Sequence, residues 1–327
     1  MQNRRVLYTR APLRLGFAGG GTDAEPFASQ YGGCVVSASI AKYVWVKVML
    51  GEARSCTCYP YGETSTEFIE TIGKHFPPAS IELRVDVPPQ SGLGASGAIG
   101  VATVMALRDV FEKHNPKHTL QQIKNDIIAF AHKIETEEMS IPGGKQDQCA
   151  AAWGGINYME FGADRFEVTH LQLSQDVLLT LENSLIITYI HPRLESGGSI
   201  MRREVDRVRA GDLATIDALK KQKELANEAR RMLRHGFLAD FGALLDEAWQ
   251  YKKRQSPEAT TGFIDDVYSV AKKAGALGGK ISGAGGGGYL FFLALGKEGP
   301  VADALLGMGL HPETVTFDTK GVTAWKP

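Results

Sequence analysis

The chain of 327 residues is 43% hydrophobic and 22% charged, with 37 glycines and 36 Lys+Arg against 37 Asp+Glu, a formal net charge of −1. This globular composition is long enough for two domains and excludes a disordered, collagen-like or disulfide-rich protein. It supplies no global basic field, so neither nucleic acid nor an anionic membrane is an expected partner.

Residues 5–18 and 34–50 are rich in β-branched and aromatic side chains and predict two strands, separated by Gly19-Gly20-Gly21, a short helix and Gly32-Gly33. The four cysteines, Cys34, Cys56, Cys58 and Cys149, are too scattered for a disulfide framework and read as reduced thiols; Cys56 and Cys58 would share one strand face. No leader-like apolar segment follows Arg4 and Arg5, and no membrane-length apolar run occurs. A soluble, cytoplasmic protein is expected.

Ile81 to Val87 alternates apolar and polar before Pro88-Pro89, and a glycine loop then opens into an apolar helix from Ala95 to Phe111. Thr119 with Gln122 makes a capping box, and Ile123, Ile127, Phe130, Ala131 and Ile134 continue at helical spacing to an end near Ser140. After Pro142-Gly143-Gly144 come a small-residue helix, then strands at INYMEF and FEVTHLQL. Long charged helices follow at about 199–233 and 237–255, then a helix over 263–274, a glycine loop from Gly283 to Gly288, the strand YLFFLAL, another helix and a final strand near 315–318. The alternation lacks a repeated β-α-β spacing, so the expected class is α+β, with domains at 1–175 and 176–327.

GLGASG (Gly92 to Gly97) formally matches a dinucleotide fingerprint. However, Pro88-Pro89 interrupt the approach from the strand, and Asp109 falls within a helix, so an oxidoreductase is disfavoured. The same geometry suits phosphate, because loop amides and a helix N-terminus converge on one point, with Ser91 and Ser96 adding hydroxyls. Some alternatives remain open on local pattern. Asp147 and Ser96 could be helix N-caps, Arg14 an edge-strand charge facing water, Thr22-Asp23 a turn, and Glu138 shares with Glu135 the buried side of its helix.

PPQSGLGASGA resembles the central phosphate-binding motif of the GHMP kinases, APLRLGFAGGGTDAEPF their N-terminal motif and KISGAGGGGYLFF their C-terminal glycine motif, in the family's order. The GGGTD form is similar to the heptose 7-phosphate kinase and L-fucokinase branches, and the compact length favours heptose. The resemblance implies a two-domain fold: an N-terminal mixed sheet with a left-handed β-α-β unit, and a ferredoxin-like C-terminal domain. It implies ATP and Mg²⁺ as cofactors, and a sugar phosphate phosphorylated on its anomeric hydroxyl. Asp147 would be the base and Arg14 the cation beside it, lowering its proton affinity. Pro89, Ser91, Gly92, Leu93, Gly94, Ala95 and Ser96 would bind ATP, Ala95 standing where many members have a second serine. Glu135, twelve residues before Asp147 as in galactokinase, would hold Mg²⁺ with Ser96. Gly20, Gly21, Thr22, Asp23, Gly144, Gly285 and Gly286 would meet the substrate, with Arg193 and Lys253 as cations for its phosphate. A rival of another class is a non-catalytic sugar or ATP sensor on the same fold.

Overall fold

The computed structural model describes residues 6–50, 53–59, 63–111, 118–163, 165–193 and 195–327. Strands β1 (Val6–Ala18) and β2 (Gly33–Leu50) run antiparallel along most of their length and are joined through α1 (Phe27–Tyr31). At 18 residues β2 is long enough to serve two neighbours in succession. Its first half pairs with β5 (Ile156–Phe161), which carries β6 (Phe166–His170); its second half pairs with β4 (Ala79–Val85). A crossover through α2 (Glu63–Lys74) lays β3 (Ser55–Tyr59) parallel to β4 at the edge.

Helix α3 (Ala95–Phe111) is apolar on nearly every side, which is the pattern of a helix enclosed in a core. It lies on this sheet between α2, α4 (Leu120–Lys133) and α5 (Gln146–Trp153). The capping box at Thr119 forms as expected, with reciprocal bonds to Gln122. Beyond Lys133 the helix widens into a π turn over Ile134–Glu138, a local irregularity often tied to function.

The second sheet follows α6 (Gln175–Ser184). Its strands β7 (Leu185–Tyr189), β8 (Gly278–Ile281), β9 (Tyr289–Leu293) and β10 (Pro312–Thr314) lie in the order β10-β7-β9-β8, all antiparallel. That is the expected ferredoxin-like order. Between β7 and β8 run α7 (Gly197–Arg209), α8 (Leu213–His235), α9 (Leu238–Gln255) and α10 (Gly262–Lys273), and α11 (Glu298–Leu306) precedes β10.

Two expectations fail here. The charged stretch 199–233 is not one helix, because Gly211 takes φ +74° and Asp212 caps a fresh start through the Thr215 amide. No strand forms over 315–318. Instead β11 (Thr323–Trp325) pairs with β1, so the chain ends in the first sheet. The two sheets also share a core: Phe17 of β1 meets Phe241 of α9 and Phe291 of β9 edge-to-face at 5.3 and 5.9 Å. Burying a ring of this kind contributes roughly 1.5–3 kcal/mol, which fixes β1 against the second sheet.

Candidate active site

The junction of the two sheets encloses a cavity of about 630 Å³. One wall is the loop after β4. Gly92 and Gly94 take φ +80° and +77°, conformations open to glycine, and turn the chain into α3. Leu93, fully buried, anchors the loop in the core, and its carbonyl accepts from the Arg14 amide at 2.9 Å. The Ser91 carbonyl accepts from Tyr289 N of β9 at 2.9 Å, so the loop is stapled to both sheets. Pro89, Ser91, Gly92, Gly94, Ala95 and Ser96 line the cavity, whereas Leu93 does not.

At Gly97 a Cβ would lie 2.6 Å from that of Asp147, so only glycine lets the N-terminal turns of α3 and α5 meet. Two positive helix ends thus converge beside the loop. Asp147 is inside the first turn of α5 and is not its N-cap, which is Lys145. Arg14 claims its carboxylate instead: Nε and Nη2 reach Oδ1 at 2.8 and 2.6 Å, leaving Oδ2 turned toward Gly94. Arg14 is itself buried, and its Nη1 donates to the Gly92 carbonyl at 2.6 Å and to Ser282 Oγ at 3.1 Å. The reading of Arg14 as a water-facing strand charge is therefore excluded.

Ser96 does not cap α3 either; its hydroxyl is hydrogen-bonded to Glu135 Oε1, and Gln148 Nε2 donates to Oε2 at 2.7 Å. The π turn carries Glu135 into the cavity wall, while Glu138 pairs at the surface with His75 at 2.9 Å. That separates the two carboxylates left open by the sequence. Burial raises the Glu135 carboxyl to about 7, with Asp147 adding to the effect and the Ser96 and Gln148 bonds opposing it. Its hydrogen-bond partners are thus neutral, and a cation would hold it ionised. Among the described residues no three His, Cys, Asp or Glu side chains form a metal cage. Glu135 and the Ser96 hydroxyl are an oxygen pair in the cavity wall that could take a hard cation.

Across the cavity, Asp23 accepts from Gln146 N at 3.0 Å and Gln146 Nε2 at 2.8 Å, and burial pushes it up to about 6. Gly20, Gly21 and Gly144 line the wall around it. Thr22 does not reach the cavity; its hydroxyl bonds the Gly19 carbonyl at 2.7 Å and holds the turn. Gly285 and Gly286 also lie outside it, packed against Ala259 and Glu258, and Gly283 and Ala284 take their place. Arg193 reaches the cavity against Gly92 and Gly283, on the loop side. Lys253 does not reach it, because it stands on the outer face of α9 and pairs with Asp265 at 3.4 Å. The preceding residue, Lys252, which shares the basic run after Trp249, lines the cavity, as do Gln146, Gln148 and Lys280, the first residue of the C-terminal glycine motif; the resemblance gives none of them a role.

Comparison with known proteins bears on the same segments. The GHMP kinases N terminal domain matches residues 62–155, and the GHMP kinases C terminal domain matches residues 218–307. The chain belongs to the GHMP kinases. It is 29% identical to the D-glycero-alpha-D-manno-heptose 7-phosphate kinase of Campylobacter jejuni, over 98% of this chain and 99% of that protein. The crystal structure of a D-glycero-D-manno-heptose 1-phosphate kinase from Bacteroides thetaiotaomicron superposes with a TM-score of 0.74 at 26% identity, over 98% and 99% of the two chains. The bifunctional fucokinase/GDP-fucose pyrophosphorylase of Arabidopsis thaliana is 25% identical over 72% of this chain but only 21% of its own length. This GHMP kinase is therefore a full-length homologue of a heptose 7-phosphate kinase and shares only part of the fucokinase. Membership also disposes of the dinucleotide reading of Gly92 to Gly97, since members of the family take ATP as phosphate donor.

Proposed function

We propose that this protein transfers the γ-phosphoryl group of ATP to the anomeric hydroxyl of D-glycero-D-manno-heptose 7-phosphate, giving the 1,7-bisphosphate and ADP. The full-length homology supports the substrate, and the Arg14-held Asp147 between phosphate loop and Asp23 wall carries the chemistry. The loop amides and the first turn of α3 receive the nucleotide phosphates, and Arg193 adds charge on that side. Asp23 and Gln146 orient sugar hydroxyls on the other. Asp147 Oδ2 accepts the proton of the anomeric hydroxyl as its oxygen bonds the γ-phosphorus and the bond to the β-phosphate oxygen breaks. Arg14 fixes the carboxylate and faces the charge that develops.

Glu135 and Ser96 would hold Mg²⁺, which when bound neutralises charge on the transferring phosphates. The product is a precursor for nucleotide-activated heptose and surface polysaccharide, and we assign the enzyme to the cytoplasm. An L-fucose 1-kinase is the second reading, favoured by the partial fucokinase similarity. A non-catalytic sensor would have no need of Asp147 and the arginine that orients it. The deciding experiment is a panel of heptose 7-phosphate, unphosphorylated heptose and L-fucose with ATP and Mg²⁺, reading ADP release and the anomeric phosphate by ³¹P NMR. Heptose 7-phosphate is expected to lead heptose by at least ~10-fold in kcat/KM, the weight of charge-assisted bonds to the extra phosphate. A preference for L-fucose would overturn the substrate and leave the kinase standing.

A further inference from the structure

Three cationic side chains, each at most 5% exposed, stand together in the cavity wall: Arg14, Lys252 and Lys280. Two have counter-ions. Arg14 holds Asp147, and Lys252 of α9 pairs at 3.4 Å with Glu204 of α7, itself 2% exposed. Lys280 of β8 is different: its ammonium donates to the Gly16 carbonyl at 3.2 Å, and no carboxylate lies within ion-pair distance of it among the described residues. Burial, then the repulsion of Lys252 and Arg14, pushes its pKa down to about 7. A buried amine in that position is costly to charge unless an anion arrives to share the site.

The position decides which anion. Gly16 follows Arg14 by two residues in β1, so both face the same side, and Gln146, which holds Asp23, lies over it with Oε1 3.8 Å from where a Cβ would stand. Lys280 is thus on the acceptor side of the Arg14–Asp147 pair. The nucleotide side has its own apparatus in the loop, the α3 N-terminus and Arg193. Resting on the function proposed above, we infer that Lys280, backed by Lys252, is the specificity-determining residue that receives the phosphate group the acceptor already carries. The preference for a phosphorylated sugar then comes from the second sheet, through β8, where Lys280 opens the C-terminal glycine motif, and not from the glycines themselves. Lys252 contributes field and is itself neutralised by Glu204.

The test uses Lys280→Met, which keeps the length of the side chain and removes its charge, with Lys280→Gln as a second variant. Removing a buried charge that lacks a counter-ion should not unfold the protein, and thermal melts verify this. Lys252 is not the residue to mutate, since its loss would strand Glu204. Binding of heptose 7-phosphate and of unphosphorylated heptose is measured by calorimetry without ATP, alongside steady-state kinetics for both acceptors and for ATP. Both variants are expected to lose heptose 7-phosphate affinity by roughly 10–100-fold, to change heptose affinity by less than ~3-fold and to keep the ATP KM, so the two acceptors become nearly equal. A preference for the phosphorylated sugar that survives in both variants overturns the assignment, and so does an equal loss on both acceptors or a raised ATP KM. If the wild type prefers a different sugar phosphate and the variants erase that preference, the heptose reading falls and Lys280 stands. If the wild type prefers unphosphorylated sugar, both fall.

Discussion

On the loop side of the cavity, one continuous run of chain from Pro89 to Gly97 forms a wall whose glycines and helix N-terminus offer backbone amides. On the opposite side the wall is assembled from β1, the Gly20–Asp23 turn, the start of α5, α9 and β8, and its groups are side chains. The loop side can therefore bind what any nucleotide-dependent relative binds, since amides at a helix N-terminus recognise phosphate and little else. The acceptor side can change by single substitutions on separate elements while the loop is untouched. Asp147 stands at the seam, held by Arg14, whose Nη1 also bonds the Gly92 carbonyl and Ser282 Oγ where the loop packs against the end of β8.

The largest effect is expected at that seam. Asp147→Asn should lower kcat by roughly 10²–10⁴-fold, because the amide cannot accept the hydroxyl proton, while the ATP affinity of the loop changes little. Stopped-flow nucleotide binding beside turnover separates the two quantities. Near-normal turnover in a folded variant would mean the seam does not do the proton transfer.

Next comes the loop side itself. Glu135→Gln should raise the Mg²⁺ concentration for half-maximal rate by at least ~10-fold, since a buried carboxylate is replaced by a neutral ligand. Glu138→Gln should leave it unchanged, because Glu138 pairs with His75 at the surface. A Mg²⁺ titration of both variants decides, and an effect at Glu138 alone would move the metal out of the cavity.

These two sides differ in how much of them can be read in the sequence. The loop is legible because its chemistry is local: glycines at left-handed positions, a serine in the first turn and an apolar helix are neighbours in the chain. The fold class and the strand order of the second sheet follow from the family resemblance, and the first long strands from their β-branched composition. The acceptor side depends on packing between distant elements. Lys280 is one lysine in a short strand, GGKI, and its burial arises only when β8 docks beside β1. Lys252 did leave a signal, because it continues the buried stripe Phe241, Leu245, Ala248 on α9, whereas Lys253 is one step, about 100°, off that stripe. The return of β11 to the first sheet left none, since three residues carry too little pattern.

A smaller effect is expected from the carboxylate of the acceptor wall, and it concerns stability. Burial holds Asp23 at about 6 against an ordinary 3.8, so the folded protein binds this proton more tightly than the unfolded chain does. Stability from this group is therefore present at low pH and is lost as pH rises through about 6. Asp23→Asn removes that penalty but weakens a hydrogen bond from Gln146 worth about 1 kcal/mol, for a net gain on the order of 1–2 kcal/mol at pH 7.5. Thermal melts of the ligand-free protein should show the gain at pH 7.5 and none near pH 4, with acceptor affinity reduced. A gain that is independent of pH would mean the carboxyl is not the source.

The smallest effect belongs to the neighbour of a cavity residue, and it tests whether the acceptor side ends at the wall described. Lys253 pairs with Asp265 of α10 at 3.4 Å, and its ammonium lies 5.6 Å from the ring centroid of Trp249, which is itself fully buried. An exposed pair of this kind contributes about 0–1 kcal/mol, and salt screens it. Lys253→Ala should therefore cost less than ~1 kcal/mol in stability and leave kcat/KM for heptose 7-phosphate and for heptose within ~2-fold of the wild type. Kinetics of both acceptors at low and high ionic strength provide the check. A selective loss on the phosphorylated acceptor that deepens at low salt would place its phosphate outside the cavity, on the solvent face of α9. The buried ammonium of Lys280 would then have no anion to receive, so Lys280 on β8 and Lys253 on α9 together decide whether selectivity is built into the core or onto the surface.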